Sequence, residues 1–397
     1  MKALLLENIH PDATRVFEAA GFKVETVATG PGKKVLGQLL GNVDVLGIRS
    51  KTRVGADIVQ RAPRLFAVGA FCIGTEQIDL AACTAKGLAV FNAPYSNTRS
   101  VVELALGEMI LLLRGVFEGN RRLHQGTWTK SSEGCHEIRG KRLGIIGYGN
   151  IGSQLSVLAE ALGMEVLYHD IAEKLSLGNA RKCSLKELLR RSDVVTVHVD
   201  GRDSNRDLIG EAEFAAMKEG VVFLNLSRGF VVDVEALARH ARGGRVRGAA
   251  VDVFPEEPES GKMPFSCPLQ GIPNVILTPH VGGSTEEAQA AIGAFVARRI
   301  VDYLATGSTA SSVNLPGYQP QGTPASHRFA HIHENIPGML ARINDAIARR
   351  GVNIAGQHLE TRGAVGYAIV DVDGPCDPAI LSDLETIPHT IRARLVF

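Results

Sequence analysis

The chain of 397 residues has almost no surplus of charge: 43 Lys and Arg stand against 42 Asp and Glu, a formal net of +1. A phosphate backbone as main partner demands an excess of Lys and Arg, so nucleic acid is not the expected partner. Long apolar runs are also missing. The most apolar stretch, Val101 to Leu113, holds Glu103 and Glu108 and falls short of the roughly 20 residues a membrane span needs. No membrane partner is expected. The first ten residues carry one Lys, a short apolar core and then Glu7, the pattern of a first strand rather than a secretory signal. The six cysteines at 72, 83, 135, 183, 267 and 376 form no C-x-x-C pair. In a chain this long they point to reduced thiols in a cytoplasm. No internal repeat is found. With 45% hydrophobic and 21% charged residues, disorder is not the dominant state.

What is present is α/β alternation. Ala3–Leu6, Val43–Ile48, Leu65–Ala70, Arg142–Gly147, Glu165–Tyr168, Val194–His198, Val221–Leu226, Gly248–Phe254 and Val275–Thr278 read as strands. Several are unbroken Val/Ile/Leu runs, the mark of parallel strands buried on both faces. At about 150 residues per domain the length suggests two to three domains. A long helix is expected from Arg99 to Phe117 and another from Glu286 to Leu304. Thr306 to Ser326, with Pro316, Pro320 and Pro324, reads as a linker. Beyond it the pattern is strand His327–His333, helix Pro337–Arg350, strands Val352–Glu360 and Gly366–Val372, helix Ala379–Thr386 and strand Thr390–Phe397. That β-α-β-β-α-β order is the ferredoxin-like motif.

Residues 147–152 read G-Y-G-N-I-G between a strand and an apolar helix, and the next strand ends near Asp170. This context makes a common glycine pattern a dinucleotide site. Gly147 permits the tight turn, Gly149 the approach of a pyrophosphate and Gly152 close helix–strand packing. Asn150 and Ile151 open the helix, whose N-terminal N–H groups face the phosphates. Asp170 can accept from ribose hydroxyls and would repel a 2′-phosphate, so NAD is the expected cofactor.

Three later strands end in conspicuous polar residues: Ser227-Arg228-Gly229, Pro255-Glu256-Glu257-Pro258 and Pro279-His280. Ligands of open parallel sheets bind beyond the carboxyl ends of the strands. A His, with a free pKa of about 6.5, serves as acid or base near neutrality. A carboxylate beside it fixes the ring, and an Arg forks onto a substrate carboxylate. This reading assigns His280 as acid/base, Glu257 as its orienting partner and Arg228 as substrate clamp. Each residue alone would pass for an ordinary loop residue.

The runs N-L-S-R-G-F-V-V-D at 225–233, V-D-V-F-P-E-E-P at 251–258 and T-P-H-V-G-G-S at 278–284 resemble the D-2-hydroxyacid dehydrogenases. F-C-I-G-T-E-Q-I-D at 71–79, F-N-A-P-Y-S-N-T-R-S at 91–100 and H-I-H-E-N at 331–335 are similar to the branch that oxidises 3-phosphoglycerate and carries one C-terminal ACT domain. The resemblance implies two doubly wound, Rossmann-like domains plus that ferredoxin-like ACT domain. Its scheme is a discontinuous substrate domain over 1–97 and 285–314, an NAD domain over 98–284, a linker over 315–326 and the ACT domain over 327–397. It implies a homotetramer assembled through ACT and NAD-domain contacts. It places His198 and Asp252 beside the cofactor. Arg49, Ser50 and Lys51 would hold the substrate phosphate, with Lys130 reaching it from a neighbouring subunit. Ile73, Gly74 and Asn92 would hold the carboxylate. Lys51 stands where the family carries Arg, and loses the planar fork. Asp200 stands where Pro is usual, and Ile336 replaces an Arg. L-serine is the implied effector, held by His333, Asn335 and Asn353 between two ACT domains. Other readings stay open: a related 2-hydroxyacid dehydrogenase acting on 2-oxoglutarate, a dinucleotide-sensing co-regulator, a tail that serves assembly alone, or metal binding by His331 and His333.

Overall fold

Among the described residues two sheets are wholly parallel and a third is antiparallel. The computed structural model describes residues 1–258, 263–320, 326–374 and 377–397. The chain divides into two units, Met1–Ser96 with Gln289–Phe397, and Asn97–Ala288.

In the first unit, β1 (Lys2–Leu6), β2 (Lys23–Val27), β3 (Val45–Ile48), β4 (Ala67–Ala70) and β5 (Ala89–Phe91) lie in the order β2-β1-β3-β4-β5. Every residue of β3, β4 and β5 is buried, as the unbroken apolar runs require. The chain steps outward in opposite directions from β1, so the topological switch lies between β1 and β3. Glu7 and Arg49 are the residues that leave those two strands. β2 and β5 were not anticipated. β2 is an edge strand with no buried residue, and β5 spans only three residues.

The second unit holds β6 (Arg142–Ile146), β7 (Glu165–His169), β8 (Arg181–Lys182), β9 (Val194–Val197), β10 (Val221–Asn225), β11 (Val246–Val251) and β12 (Val275–Leu277). Their order, β12-β11-β10-β9-β6-β7-β8, has its switch between β6 and β9, the dinucleotide crevice of a Rossmann sheet. The helix expected over Arg99–Phe117 is two helices, Thr98–Arg114 and Val116–His124. Gly115, at φ 61°, closes the first because a left-handed residue ends the hydrogen-bond ladder.

The tail forms β13 (His327–Glu334), β14 (Asn353–Arg362), β15 (Val365–Asp373) and β16 (Thr390–Leu395), ordered β14-β15-β13-β16, with helices Met339–Ala348 and Ala379–Glu385. This is the ferredoxin-like arrangement. Side chains alternate between faces: Phe329 packs with Ile343, Ile347 and Leu384 under the helices, whereas Ala330, Ile332 and Tyr367 pack with Phe91 and Tyr303. The first part of the expected linker is fixed, not loose. Asn314 accepts from Val90 N at 2.8 Å and donates to Leu88 O at 2.8 Å, and Leu315 is fully buried. Residues 321–325 of that linker, and Cys376, lie outside the described residues. Among the described residues no helix is long and apolar enough to cross a membrane.

Candidate active site

The glycine loop of the second unit fits a dinucleotide. Gly147 has φ 94°, and its N–H donates to His169 O at 2.9 Å. A Cβ on Gly152 would sit 2.2 Å from Gly147 O, so only glycine lets the helix Asn150–Ala161 start against the turn. Gly149 faces open space, and no side chain caps that helix's N-terminus. Unpaired N–H groups therefore point outward, ready for an anion. Asp170 braces the loop as well: Oδ2 accepts from Tyr148 N and Oδ1 from Ala172 N, both at 2.8 Å. His198 borders it, with Nε2 2.9 Å from Thr196 Oγ1 and Nδ1 buried without a partner. Burial lowers its pKa to about 4, so the ring is neutral.

His280, Glu257 and Arg228 come from the loops after β12, β11 and β10, all in this unit. His280 Nδ1 lies 2.8 Å from Glu257 Oε2. That bond holds the imidazolium above its ordinary pKa, against burial. Burial is the largest single influence on Glu257 and opposes its charge, but the His280 bond and charge, the Phe254 N–H and the Arg228 charge together leave the carboxyl below its usual range. Each charge thus favours the other. Arg228 donates from Nη1 to Ser227 O at 2.9 Å, and Asn225 Nδ2 braces the turn by donating to Arg228 O at 3.1 Å. Gly229 brings this turn against the Glu257 segment, since a Cβ there would lie 1.9 Å from the Phe254 carbonyl carbon.

The segment carrying His280 is under constraint. His280 has φ 56°, a conformation that a side-chain-bearing residue adopts only when its surroundings enforce it. Asp252, 2% exposed, supplies the enforcement. Its Oδ1 accepts from Thr278 Oγ1 at 2.6 Å and Val281 N at 2.8 Å, and its Oδ2 from Gly282 N at 2.8 Å. The residue expected beside the cofactor therefore also holds the segment that carries His280. Nearby, burial and the Asp252 charge push Glu108 up to about 8.

The substrate candidates of the first unit sit at its own switch point. Backbone N–H groups of Arg49, Lys51 and Thr52 converge on Glu7, which accepts at 3.3 Å and 2.8 Å on Oε1 from Arg49 and Thr52, and at 3.0 Å on Oε2 from Lys51. Gln77 Nε2 donates to Arg49 O at 2.6 Å. Asn92 Nδ2 donates to Ile73 O at 2.5 Å, holding the strand-end loop that also contains Gly74. Ser50 is exposed at the tip. Glu7 and Gln77 were missed by sequence reasoning; the signal available was an acid directly after β1. Lys130 belongs to the other unit and is exposed beyond the helix Val116–His124.

In the tail, His333 is buried at the end of β13, and Asn335 Nδ2 donates to Gly363 O at 3.0 Å. Asn353 is not brought to them. His333 pairs with Gly366, whereas Asn353 pairs with Asp373 at the far end of the sheet.

A Rossmann sheet with its glycine turn, and a His–Glu pair beyond neighbouring strands, define an NAD-linked oxidoreductase. Residues 106–282 match the family model for the NAD-binding domain of D-isomer specific 2-hydroxyacid dehydrogenases, and residues 329–392 match the AHAS small subunit-like ACT domain. The chain belongs to the D-isomer specific 2-hydroxyacid dehydrogenases and is NAD-dependent. Over its full length it is similar to D-3-phosphoglycerate dehydrogenases. That of Haemophilus influenzae is 47% identical across all of this chain and 97% of its own. That of Dictyostelium discoideum is 48% identical with the same coverage. Among solved structures, the D-lactate dehydrogenase of Aquifex aeolicus, complexed with NAD and lactic acid, matches at TM-score 0.68 and 26% identity, over 76% of this chain and 95% of that one.

Proposed function

We propose that the protein oxidises the C2 hydroxyl of 3-phospho-D-glycerate to 3-phosphohydroxypyruvate, the first committed step of L-serine synthesis. The observation that carries this reading is the His280–Glu257 pair at 2.8 Å, in a segment pinned by Asp252. Bound NAD would supply the hydride acceptor for C2. His280 takes the hydroxyl proton at Nε2, the nitrogen that Glu257 leaves available. Glu257 then stabilises the imidazolium. Arg228 clamps the carboxylate and polarises the reacting oxygen. Arg49, Ser50 and Lys51 take the phosphate, with Lys130 reaching it from a neighbouring subunit, and Ile73, Gly74 and Asn92 take the carboxylate end. Gly147 to Gly152, Asp170, His198 and Asp252 hold the cofactor.

Within this reading the ACT domain binds L-serine through His333 and Asn335, with Asn353 of the partner subunit completing the site. The register that separates Asn353 from His333 in one chain supports a two-copy site. Assembly is a homotetramer and the compartment the cytoplasm. One residue favours a second substrate. Lys51 offers a point charge, which suits the distal carboxylate of 2-oxoglutarate as well as a phosphate.

The test is steady-state kinetics on the purified protein with both substrates. A higher kcat/KM for 3-phosphoglycerate is expected, and no NADH formation from it overturns the reading. Serine titrated against initial rate is expected to inhibit; a flat response leaves the tail as an assembly element.

A further inference from the structure

Two buried histidines of β13 face each other where one hydrogen-bond network decides which nitrogens carry protons. His331 and His333 are two residues apart on a strand and so share a face. Their Nδ1 atoms lie 3.2 Å apart, and the residues are 0% and 1% exposed. A hydrogen bond between two Nδ1 atoms needs one proton, carried by one ring or the other.

The far side of His331 settles which. Its Nε2 lies 2.9 Å from Thr390 Oγ1 and 3.3 Å from Leu384 O. The Thr390 hydroxyl spends its proton on Leu384 O at 3.1 Å. It can then only accept from His331, as can the carbonyl. Nε2 of His331 is therefore the protonated nitrogen. Burial lowers the pKa of His331 to about 4 and also lowers that of His333, so both rings are neutral at pH 7. A neutral imidazole protonated at Nε2 has a bare Nδ1. His333 must then donate from its own Nδ1, and its Nε2 is left as a lone-pair acceptor. That nitrogen lies over Gly366, where a Cβ would approach it to 2.4 Å. The missing side chain leaves the room that this edge of the buried ring occupies.

We propose that His331 is a positioning residue of the effector site. Tied to Thr390 and Leu384, it locks His333 in the tautomer that presents Nε2 as an acceptor. The site therefore selects a small amino acid by a hydrogen-bond donor, its hydroxyl or ammonium, and turns a carboxylate away from that nitrogen. The effector part rests on the reading of His333 as a serine ligand; the tautomer lock does not.

Ring-nitrogen NMR on full-length protein labelled with 15N-histidine tests the lock directly, without ligand. A bare Nε2 on His333 is expected, and a protonated Nε2 overturns it. Calorimetry with L-serine tests the consequence. His331→Leu removes the acceptor for His333 and is expected to weaken binding about tenfold, the worth of a lost hydrogen bond. His331→Asn keeps an acceptor near the Nδ1 position and is expected to stay within about threefold of the parent. Equal loss in both variants, or none in His331→Leu, overturns the proposal. If the parent protein binds no L-serine, the effector reading falls, and the NMR result alone decides the lock.

Discussion

Two carboxylates shape two loops in the same way, one in each unit. Glu7, directly after β1, gathers the backbone N–H groups of Arg49, Lys51 and Thr52. Asp252, directly after β11, gathers the Thr278 hydroxyl and the N–H groups of Val281 and Gly282. Both are nearly inaccessible, at 9% and 2% exposure. The difference lies in where the strain falls. Glu7 itself takes the left-handed conformation, at φ 63°, and the loop it holds carries charge. Asp252 lets His280 take it, at φ 56°, and the loop it holds carries the proposed base. One device aims the side chains proposed to bind, and the other aims the side chain proposed to react. The first should govern KM and the second kcat.

Asp252→Asn tests the reactive side and should show the largest effect. The amide must turn its NH2 toward at least one of the three donors, so a bond becomes a clash of donors. A base misplaced by a fraction of an ångström loses much of its rate. A fall in kcat of about 100-fold, with the KM for substrate little changed, is the expected outcome in steady-state assays. A rise in KM with kcat preserved would erase the contrast between the two loops.

Glu257→Gln sharpens the same side through pH. The bond to Glu257 holds the His280 imidazolium above its ordinary pKa. Oxidation of an alcohol needs neutral His280, so the rate rises with pH through that raised pKa. The variant should move this acid limb down toward the free value of about 6.5. It should also lower the plateau kcat, by about tenfold, since the imidazolium formed in turnover loses its partner. In the reducing direction, which needs the protonated ring, the same shift should cut activity near neutrality. An unmoved limb would remove Glu257 from its assigned role.

Much of the reactive side was legible in the sequence, and little of the binding side. The strands β6, β7, β9, β10, β11 and β12 are visible as short apolar runs, and the glycine turn is a local pattern at 147–152. His280, Glu257 and Arg228 could be found because each directly follows a recognisable strand. Glu7 could not, because its partners stand 42 to 45 positions away. Its meaning depends on β1 and β3 being neighbours, which strand order decides and residue pattern does not. The edge strands β2 and β8 escaped for a related reason. They bury no residue and carry no apolar run. The split between His333 and Asn353 likewise appears only in the register of β13, β14 and β15.

Glu7→Gln is the counterpart on the binding side. The amide again sets an NH2 against a gathered N–H, and the loop should splay. Loss of the buried negative charge works the other way, since it strengthens the field felt by a phosphate. Splaying should win, because aimed donors matter more than diffuse charge for an ion that binds by direct hydrogen bonds. We expect the KM for 3-phosphoglycerate to rise about five- to tenfold, the cost of roughly one such bond, with kcat within about twofold. A kcat loss equal to that of Asp252→Asn would show that the two loops do the same work.

Lys51→Arg is the gentlest test, and its sign is opposite. The N–H of Lys51 is already fixed by Glu7 at 3.0 Å, so the substitution leaves the loop's backbone anchor intact. Only the charged head changes, from an ammonium to a planar fork that can donate two parallel bonds to a phosphate. Arg should therefore lower the KM for 3-phosphoglycerate by about two- to threefold, a fraction of one charge-assisted bond because Lys already supplies the charge. A 2-oxoglutarate KM measured alongside separates shape from charge. If it falls as far as the phosphorylated substrate's, the loop reads charge alone. If it stays put, the loop reads the phosphate's geometry, and Lys51 in this chain marks a weakened grip on it.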